Sequence, residues 1–202
     1  MHYLIISALI AILAIYLNSP AFKGLIEGPN INQSIIKNLN KNEYHLINDI
    51  SMPALSGTTQ IDHLLVSPYG IFVVDTKYMK GWIFGGEHEK DWVQSTSSGK
   101  FKFQNPLHKN HKHIKALAHM LDLTDDKFHS IIAFTGNSSF KTTMPENVLD
   151  VSYIEYIKSI DTVIFPQAEV KNLIESIELL KIERPRSTTK KQVAYLRQPY
   201  RV

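Results

Sequence analysis

The chain has 202 residues, 44% of them hydrophobic, which is enough to build the core of one domain with short additions. It contains no cysteine, and this excludes disulfide bonds and thiolate metal sites. A formal net charge of +3 permits nucleic-acid binding without requiring it. The sequence also has no P-loop, no dinucleotide-binding glycine fingerprint and no His-Glu-x-x-His motif, so the enzyme classes that depend on them are not indicated.

Residues 1–22 predict a membrane anchor. Residues 3–17 are uncharged and would rise roughly 22 Å as a helix, against a hydrocarbon core of about 30 Å. A cleaved signal peptide is the alternative, because Ser19-Pro20-Ala21 offers small residues at the cleavage spacing. We favour the uncleaved anchor, since no lysine or arginine precedes the apolar run. Lys23 then favours a single-pass membrane protein whose main domain lies in the cytoplasm.

After a linker at residues 23–27, hydrophobic periodicity and turn residues predict an α/β domain. Asn105 is expected to cap a helix that has Pro106 at its first position. The predicted helices cover residues 32–39, 106–121 and 169–182. The predicted strands cover residues 43–51, 59–77 as a hairpin, 81–84, 91–94, 131–134 and 148–153. Gly85 and Gly86 predict a turn, and residues 95–100 predict a polar loop.

The predicted hairpin is the most informative segment. Ser67-Pro68-Tyr69-Gly70 has proline second and glycine fourth, which favours a four-residue turn between two strands. If the turn is centred between Pro68 and Tyr69, residues equally far from that centre face each other. Asp62 then faces Asp75, and Gln60 faces Lys77, all on one face of the sheet. Two opposed carboxylates repel each other unless a cation lies between them.

Two acids and a lysine on one face are the groups that metal-dependent phosphodiester cleavage uses. Asp62 and Asp75 would hold Mg²⁺ or Mn²⁺, and Lys77 would orient or deprotonate the attacking water. Gln60 would hold a water or a phosphate oxygen. On the hairpin alone, a solvated strand end is the alternative, because a register shift of one residue would place the acids on opposite faces.

Further motifs make the chain resemble one family. The motifs are Thr59-Gln60-Ile61-Asp62-His63, Gly70-Ile71-Phe72-Val73-Val74-Asp75-Thr76-Lys77, Lys80-Gly81-Trp82-Ile83, Trp92-Val93-Gln94, Phe103-Gln104-Asn105-Pro106-Leu107, Asn110 and His113. In order and spacing they are similar to the nuclease-related domain, called NERD, a branch of the restriction-endonuclease-like superfamily. The resemblance extends from about residue 28 to about residue 121, which is roughly half of the chain.

The resemblance implies a restriction-endonuclease-like fold, in which a central mixed β-sheet is flanked by helices. Residues 28–135 would form the nuclease-like domain and residues 136–183 its C-terminal part, which ends in a helix. Residues 184–202 would form a basic tail. The resemblance also implies a site with an acid and an acid-x-lysine pair that hydrolyses DNA or RNA with Mg²⁺ or Mn²⁺. A homodimer would suit a nuclease that cuts both strands with one site per chain.

The sequence departs from the family pattern at three places. Ile31 and Asn32 stand where the family usually has a Gly-Glu pair, so a third acid is missing. Asp75 replaces the commoner glutamate, and Lys109 stands where the family often has glutamine. Two acids can still suffice, because Mg²⁺ keeps several waters and takes phosphate oxygens of the substrate as ligands.

The missing acid at Asn32 favours an alternative function, a catalytically inactive module on the same fold. Such a module would bind nucleic acid or another partner through basic surface and Trp82 or Trp92. The retention of both aspartates and Lys77 favours the enzyme.

Two other features carry weaker signals. His108, His111 and His113 suggest a metal site, but His113 lies on a different helix face from the other two, so a solvated helix start is the commoner explanation. The basic tail, which also contains Tyr195 and Tyr200, would suit phosphates or anionic lipid, although charged termini are usually solvated and poorly ordered.

Overall fold

A computed structural model describes residues 31–54 and 57–181 of the chain. The predicted anchor, the linker and the basic tail lie outside these residues. Among the helices that the structure describes, none has both the length and the apolar character needed to cross a membrane.

The described part of the chain is an α/β fold with helices packed on two sheets. The helices are α1 (Ile31–Asn38), α2 (Pro106–Leu121), α3 (Tyr153–Ser159) and α4 (Gln167–Leu180), with a short 3₁₀ turn at Asp125–Lys127. The strands are β1 (His45–Ala54), β2 (Gly57–Ser67), β3 (Gly70–Lys77), β4 (Gly81–Phe84), β5 (Asp91–Thr96), β6 (Gly99–Gln104), β7 (Phe128–Phe134), β8 (Ser138–Phe140) and β9 (Val148–Leu149).

The strands form two mixed sheets where the sequence predicted one central sheet. The first sheet has the order β1-β2-β3-β7-β9, antiparallel across β1, β2 and β3 and parallel across β3, β7 and β9. The second sheet has the order β6-β5-β4-β8. The predicted combination of a mixed sheet with flanking helices is therefore confirmed, and a second sheet is added to it.

The predicted hairpin and its register are confirmed near the turn. Leu64 pairs with Val73 and Ser67 pairs with Gly70, as the centred turn requires. Gly70 has a φ of 131°, and a Cβ atom there would lie 2.6 Å from Nε2 of His129, so only glycine fits. Turn chemistry thus sets the position of every residue along both strands.

Three apolar clusters hold the layers together. On one face of the first sheet, Leu64 and Val73 pack against Leu117 of α2 and Ile177 of α4. The opposite face packs against α1 and α3. In the third cluster, Ile132 and Phe134 of β7 pack against Ile83 and Trp92 of the second sheet. Both faces of the first sheet are therefore covered.

Some predicted elements need correction. The predicted polar loop at residues 95–100 is instead the end of β5 and the start of β6, joined by a two-residue turn at 97–98, and β6 itself was not predicted. The strand predicted at residues 148–153 ends at Leu149, because Tyr153 begins α3 and packs into the core. β8 was also missed, since its three residues have a partner only through parallel pairing with β4.

Candidate active site

The site lies where β2 and β3 diverge. Paired residues extend from the turn to His63 and Val74, and the ladder stops before Asp62 and Asp75. Beyond that point β3 remains paired with β7 up to Lys77, whereas β2 remains paired with β1. The two predicted acids therefore stand at a fork between strands.

Asp75 is the buried acid of the pair. Its side chain is 1% exposed, and both of its oxygens face lysines. Nζ of Lys109 donates a hydrogen bond to Oδ1 at 2.9 Å, and Nζ of Lys77 forms an ion pair with Oδ2. The contact with Lys77 lacks hydrogen-bond geometry, so Oδ2 has no regular hydrogen bond within the described structure. An ionised carboxylate at this depth needs such counter-charges.

Asp62 is held more loosely than Asp75. The backbone N–H of Thr76, which β2 leaves unpaired at the fork, donates to Oδ2 of Asp62 at 3.3 Å, and the Thr76 hydroxyl lies 3.5 Å from the same oxygen. Asp62 is partly exposed and forms no ion pair with any described residue. Its carboxylate is therefore the one with free lone pairs toward solvent.

Helix α2 places Lys109 over the fork because Asn110 ties the helix to the sheet. The Asn110 side chain is fully buried and donates to the carbonyl of Val73 at 2.8 Å and to the hydroxyl of Ser130 at 2.9 Å. At the start of α2, Asn105 accepts a hydrogen bond from the N–H of Leu107, which confirms the predicted cap. These contacts fix both the rotation and the origin of the helix.

One turn beyond Lys109, His113 lies on the same side of α2. It is 4% exposed, and its Nδ1 atom is buried without a hydrogen-bond partner in the described structure. Burial lowers the pKa of His113, and the positive charge of Lys109 lowers it further, while Asp75 acts in the opposite direction. His113 is therefore a neutral imidazole near neutral pH.

The charge of Asp75 also changes Lys109. Burial acts to lower the pKa of Lys109, but the hydrogen bond and the negative charge of Asp75 outweigh it, with a smaller contribution from Asp62. The net result is a pKa above the usual lysine value, so Lys109 stays charged while it is paired with Asp75.

A polar cavity of about 430 Å³ opens beside the fork. Side chains of β2, of the end of β6 and of α2 line it, and they carry two lysines and one carboxylate. The lining residues are Thr58, Thr59, Gln60, Asp62, Gln104, Lys109, Lys112 and His113. The cavity thus offers both a metal-type oxygen donor and positive charge for an anionic substrate.

The structure brings three of the four predicted site residues directly to the fork. Asp62, Asp75 and Lys77 lie there, and Lys77 contacts Asp75. Gln60 is exposed and lines the cavity with Asp62, but it pairs with Ser51 of β1, and its expected pairing with Lys77 is absent from the described β2–β3 ladder. The divergence of the strands explains this difference.

The sequence predicted no role for Lys109 and suggested His113 only as a metal ligand together with His108 and His111, but both Lys109 and His113 lie at the site. Their spacing of four residues on a helix that begins at Pro106 was the available signal, because such residues share a face. In contrast, His108 and His111 line a separate cavity, as their different helix face predicted.

The oxygen donors at the fork fit a divalent cation in part. Asp75 has a buried oxygen without a regular hydrogen bond, and Asp62 has a carboxylate without a cationic partner among the described residues. Hard cations such as Mg²⁺ prefer these donors and need only one or two carboxylates. However, residues 31–54 and 57–181 contain no group of three or more acidic or histidine side chains placed to hold a metal.

Comparison with known proteins gives an independent indication of family. The model of a family described as the nuclease-related domain, NERD, matches residues 26–135. An uncharacterized protein of Bacillus anthracis is 35% identical over 129 residues, which are 60% of this chain and 60% of that protein. The chain therefore matches less than two thirds of the length of this relative. No solved structure matches the chain significantly.

The matched region runs from just before α1 to the end of β7 and contains the fork, both aspartates, Lys77 and the whole of α2. The chain therefore belongs to the nuclease-related domain family, a branch of the restriction-endonuclease-like superfamily.

Proposed function

We propose that the chain is a metal-dependent nuclease that hydrolyses phosphodiester bonds in DNA or RNA. The observation that carries this proposal is the fork itself, where two carboxylates and a lysine meet beside a polar cavity. A carboxylate as buried as that of Asp75 costs free energy even when it is paired, and a site that binds a cation gives a reason for that cost.

Each residue of the fork has a role in this proposal. Asp62 and Asp75 would hold Mg²⁺ or Mn²⁺, Asp62 through a carboxylate that forms no described ion pair and Asp75 after release of a lysine contact. The bound cation would offset negative charge on the phosphate oxygens. Lys77 orients the attacking water or accepts its proton, and Gln60, at the cavity wall, holds a water or a phosphate oxygen.

Lys109 affects how this site is used. Its ammonium lies 2.9 Å from Oδ1 of Asp75. A cation that used both oxygens of Asp75 as ligands would have to displace Lys109 from this oxygen. The Lys109 side chain is 41% exposed, so it can swing toward the cavity and meet a phosphate instead. We infer that substrate and cation binding together release Lys109 from Asp75.

The same contacts also favour a second candidate, the inactive binding module. Two lysines already neutralise Asp75, and Asn32 stands where the family usually has an acid. In that case the positive charge of Lys109 and Lys112 would bind nucleic acid, or another anionic partner, without cleavage.

Location and assembly are proposals from the sequence. Residues 1–22 support a single-pass membrane anchor with the nuclease-like domain in the cytoplasm, and a homodimer would allow cleavage of both strands. Fractionation of cells into membrane and soluble extracts, followed by a salt wash, tests the anchor. Recovery in the soluble extract would contradict it.

Cleavage of labelled single-stranded and duplex oligonucleotides by the full chain in detergent micelles tests the enzyme. Mg²⁺ or Mn²⁺ should be required, and Asp62→Asn should abolish the cleavage with little effect on folding. The matched control is Asp161→Asn, an exposed aspartate outside the site, which should leave cleavage unchanged. Equal cleavage by the Asp62→Asn variant would overturn the enzyme proposal, and nucleic-acid binding without cleavage by the native chain would favour the binding module.

A further inference from the structure

The outer face of the second sheet carries an exposed tryptophan among lysines. Trp82 is 54% exposed, whereas Trp92, which points to the opposite face, is fully buried between the two sheets. Nζ of Lys141 lies 5.1 Å from the centroid of the Trp82 ring. An indole left in solvent and already in contact with a cation is available to a planar ligand.

The strand register places more positive charge on the same face. Trp82 pairs with Ser95, and Ser95 pairs with Lys100, so their side chains share one face of the sheet. Alternation along β6 puts Lys102 and Gln104 on that face as well. Asp91 pairs with Gln104 and is the one acidic residue that the described strand register places on this face. Positive charge therefore exceeds negative charge on this face.

This face leads directly to the candidate active site. Gln104 ends β6 and also lines the cavity that contains Asp62 and Lys109. From Lys100 to Gln104 the strand advances by about 13 Å, and the two strand spacings from Lys100 to Trp82 add about 10 Å across the sheet. The path from the exposed indole to the cavity is thus several nucleotides long.

We propose that this face, defined by Trp82, Lys100, Lys102, Lys141 and Gln104, binds a single-stranded nucleic-acid segment next to the active site. The lysines contact phosphates, and Trp82 stacks on an unpaired base in competition with Lys141. This proposal rests on the proposed function, in which the substrate is nucleic acid, and adds that the bound segment is single-stranded. Duplex nucleic acid is disfavoured, because its bases are already stacked on each other.

Lysines on an edge strand also have a protective role, since they discourage pairing with the edges of other sheets. β6 is such an edge strand, so Lys100 and Lys102 alone would not indicate a ligand. Trp82 lies on the inner strand β4, where edge protection gives no reason for an exposed aromatic. Lys141 follows the other edge strand, β8, and lies over the Trp82 ring. An exposed tryptophan together with lysines on one face therefore indicates a ligand-binding surface.

Tryptophan fluorescence of the full chain tests the proposal, because Trp82 is the exposed one of only two tryptophans. The titration uses short oligodeoxythymidylate and oligouridylate, with EDTA present so that cleavage does not interfere. Quenching should accompany binding and disappear in Trp82→Phe. Binding without any fluorescence change, or duplex binding as tight as single-strand binding, would overturn the proposal.

A charge-matched pair of triple variants sharpens the test. Replacement of Lys100, Lys102 and Lys141 by glutamine should lower the slope of log affinity against log salt by about one per lysine. The control replaces the exposed helical lysines Lys37, Lys158 and Lys171 and should leave the slope nearly unchanged. Equal losses in the two variants would show that only overall charge matters and would contradict the proposed face.

This design separates the two proposals. Binding is measured in EDTA, and cleavage is measured separately with Mg²⁺ or Mn²⁺ present. Quenching without cleavage in the metal assay would support the single-strand face and refute the enzyme. Cleavage without quenching would support the enzyme and refute the face.

Discussion

The two sheets of this protein differ in what covers them. The first sheet is packed on both faces, by α2 and α4 on one side and by α1 and α3 on the other. The second sheet packs one face against β7 and leaves its other face with an exposed tryptophan. The aspartates and Lys77 of the fork, which must be held at fixed distances, lie on the covered sheet. Trp82, which is free to meet a large partner, lies on the open sheet.

The two tryptophans give the largest expected contrast between covered and open positions. Trp92→Ala should destabilise the fold by about 4 kcal/mol, because the ring is fully buried and stacks on Phe134. Trp82→Ala should change the free energy of unfolding by less than about 0.5 kcal/mol. Urea denaturation followed by circular dichroism measures both. Similar losses of unfolding free energy for the two variants would show that Trp82 is as important for folding as Trp92.

Next in size is the contrast between the two acids of the fork. Asp75→Asn should cost about 3 kcal/mol of unfolding free energy, because Lys77 and Lys109 would lose their buried counter-charge. Asp62→Asn should cost less than about 1 kcal/mol, since it loses only long hydrogen bonds from Thr76. The same denaturation assay compares them. A larger loss for Asp62→Asn would mean that the more exposed acid carries the structural role.

Lys109 should compete with a divalent cation for Asp75. We expect Lys109→Gln to bind Mn²⁺ about tenfold more tightly than the native chain, a gain of about 1.4 kcal/mol, because the ammonium no longer holds Oδ1. Calorimetric titration measures the affinity. Lys112→Gln is the control, since Lys112 lines the cavity and forms no ion pair with Asp75 in the described structure. Unchanged affinity for Lys109→Gln would contradict the competition.

The smallest expected effect is a pH dependence from His113. Its pKa is lower in the folded state than in the unfolded chain, so the unfolded chain takes up the proton first as the pH falls. The stability contribution is complete above the unfolded pKa, near 6.5, and is lost as the pH falls toward the folded pKa.

His113→Asn should therefore make stability less dependent on pH below about 6.5. Denaturation curves at several pH values compare the slopes of the variant and the native chain, whatever the absolute stability of the variant. His63 has its pKa lowered by burial in the same way and retains part of the slope. A variant with the full native slope would show that His113 does not contribute.

Local signals were enough to predict much of the site. The Pro68 and Gly70 turn set the register near the hairpin turn and put both acids on one face, and the Asn105-Pro106 start placed α2 within one residue. These signals work because turns and caps depend on a few adjacent residues.

What could not be predicted depends on distant parts of the chain. Lys109 meets Asp75 across a sequence separation of 34 residues, and only the packing of α2 on the sheet decides that contact. The fork that leaves Gln60 away from Lys77 arises because β3 follows β7 while β2 follows β1. For β6, the alternation of Phe101 and Phe103 with lysines was present, but the polar residues before it resembled a loop.

A metal site at the fork is tested by calorimetric titration of Mg²⁺ and Mn²⁺ into the full chain, with a nucleic-acid oligomer present to supply phosphate ligands. The Asp62→Asn, Asp75→Asn double variant and a charge-matched double variant, Asp161→Asn with Glu175→Gln, are titrated beside it. A metal site at the fork predicts binding by the native chain and by the matched variant, and loss of binding in the Asp62→Asn, Asp75→Asn variant. Absence of binding by the native chain, or equal binding by all three, would contradict a metal site at the fork.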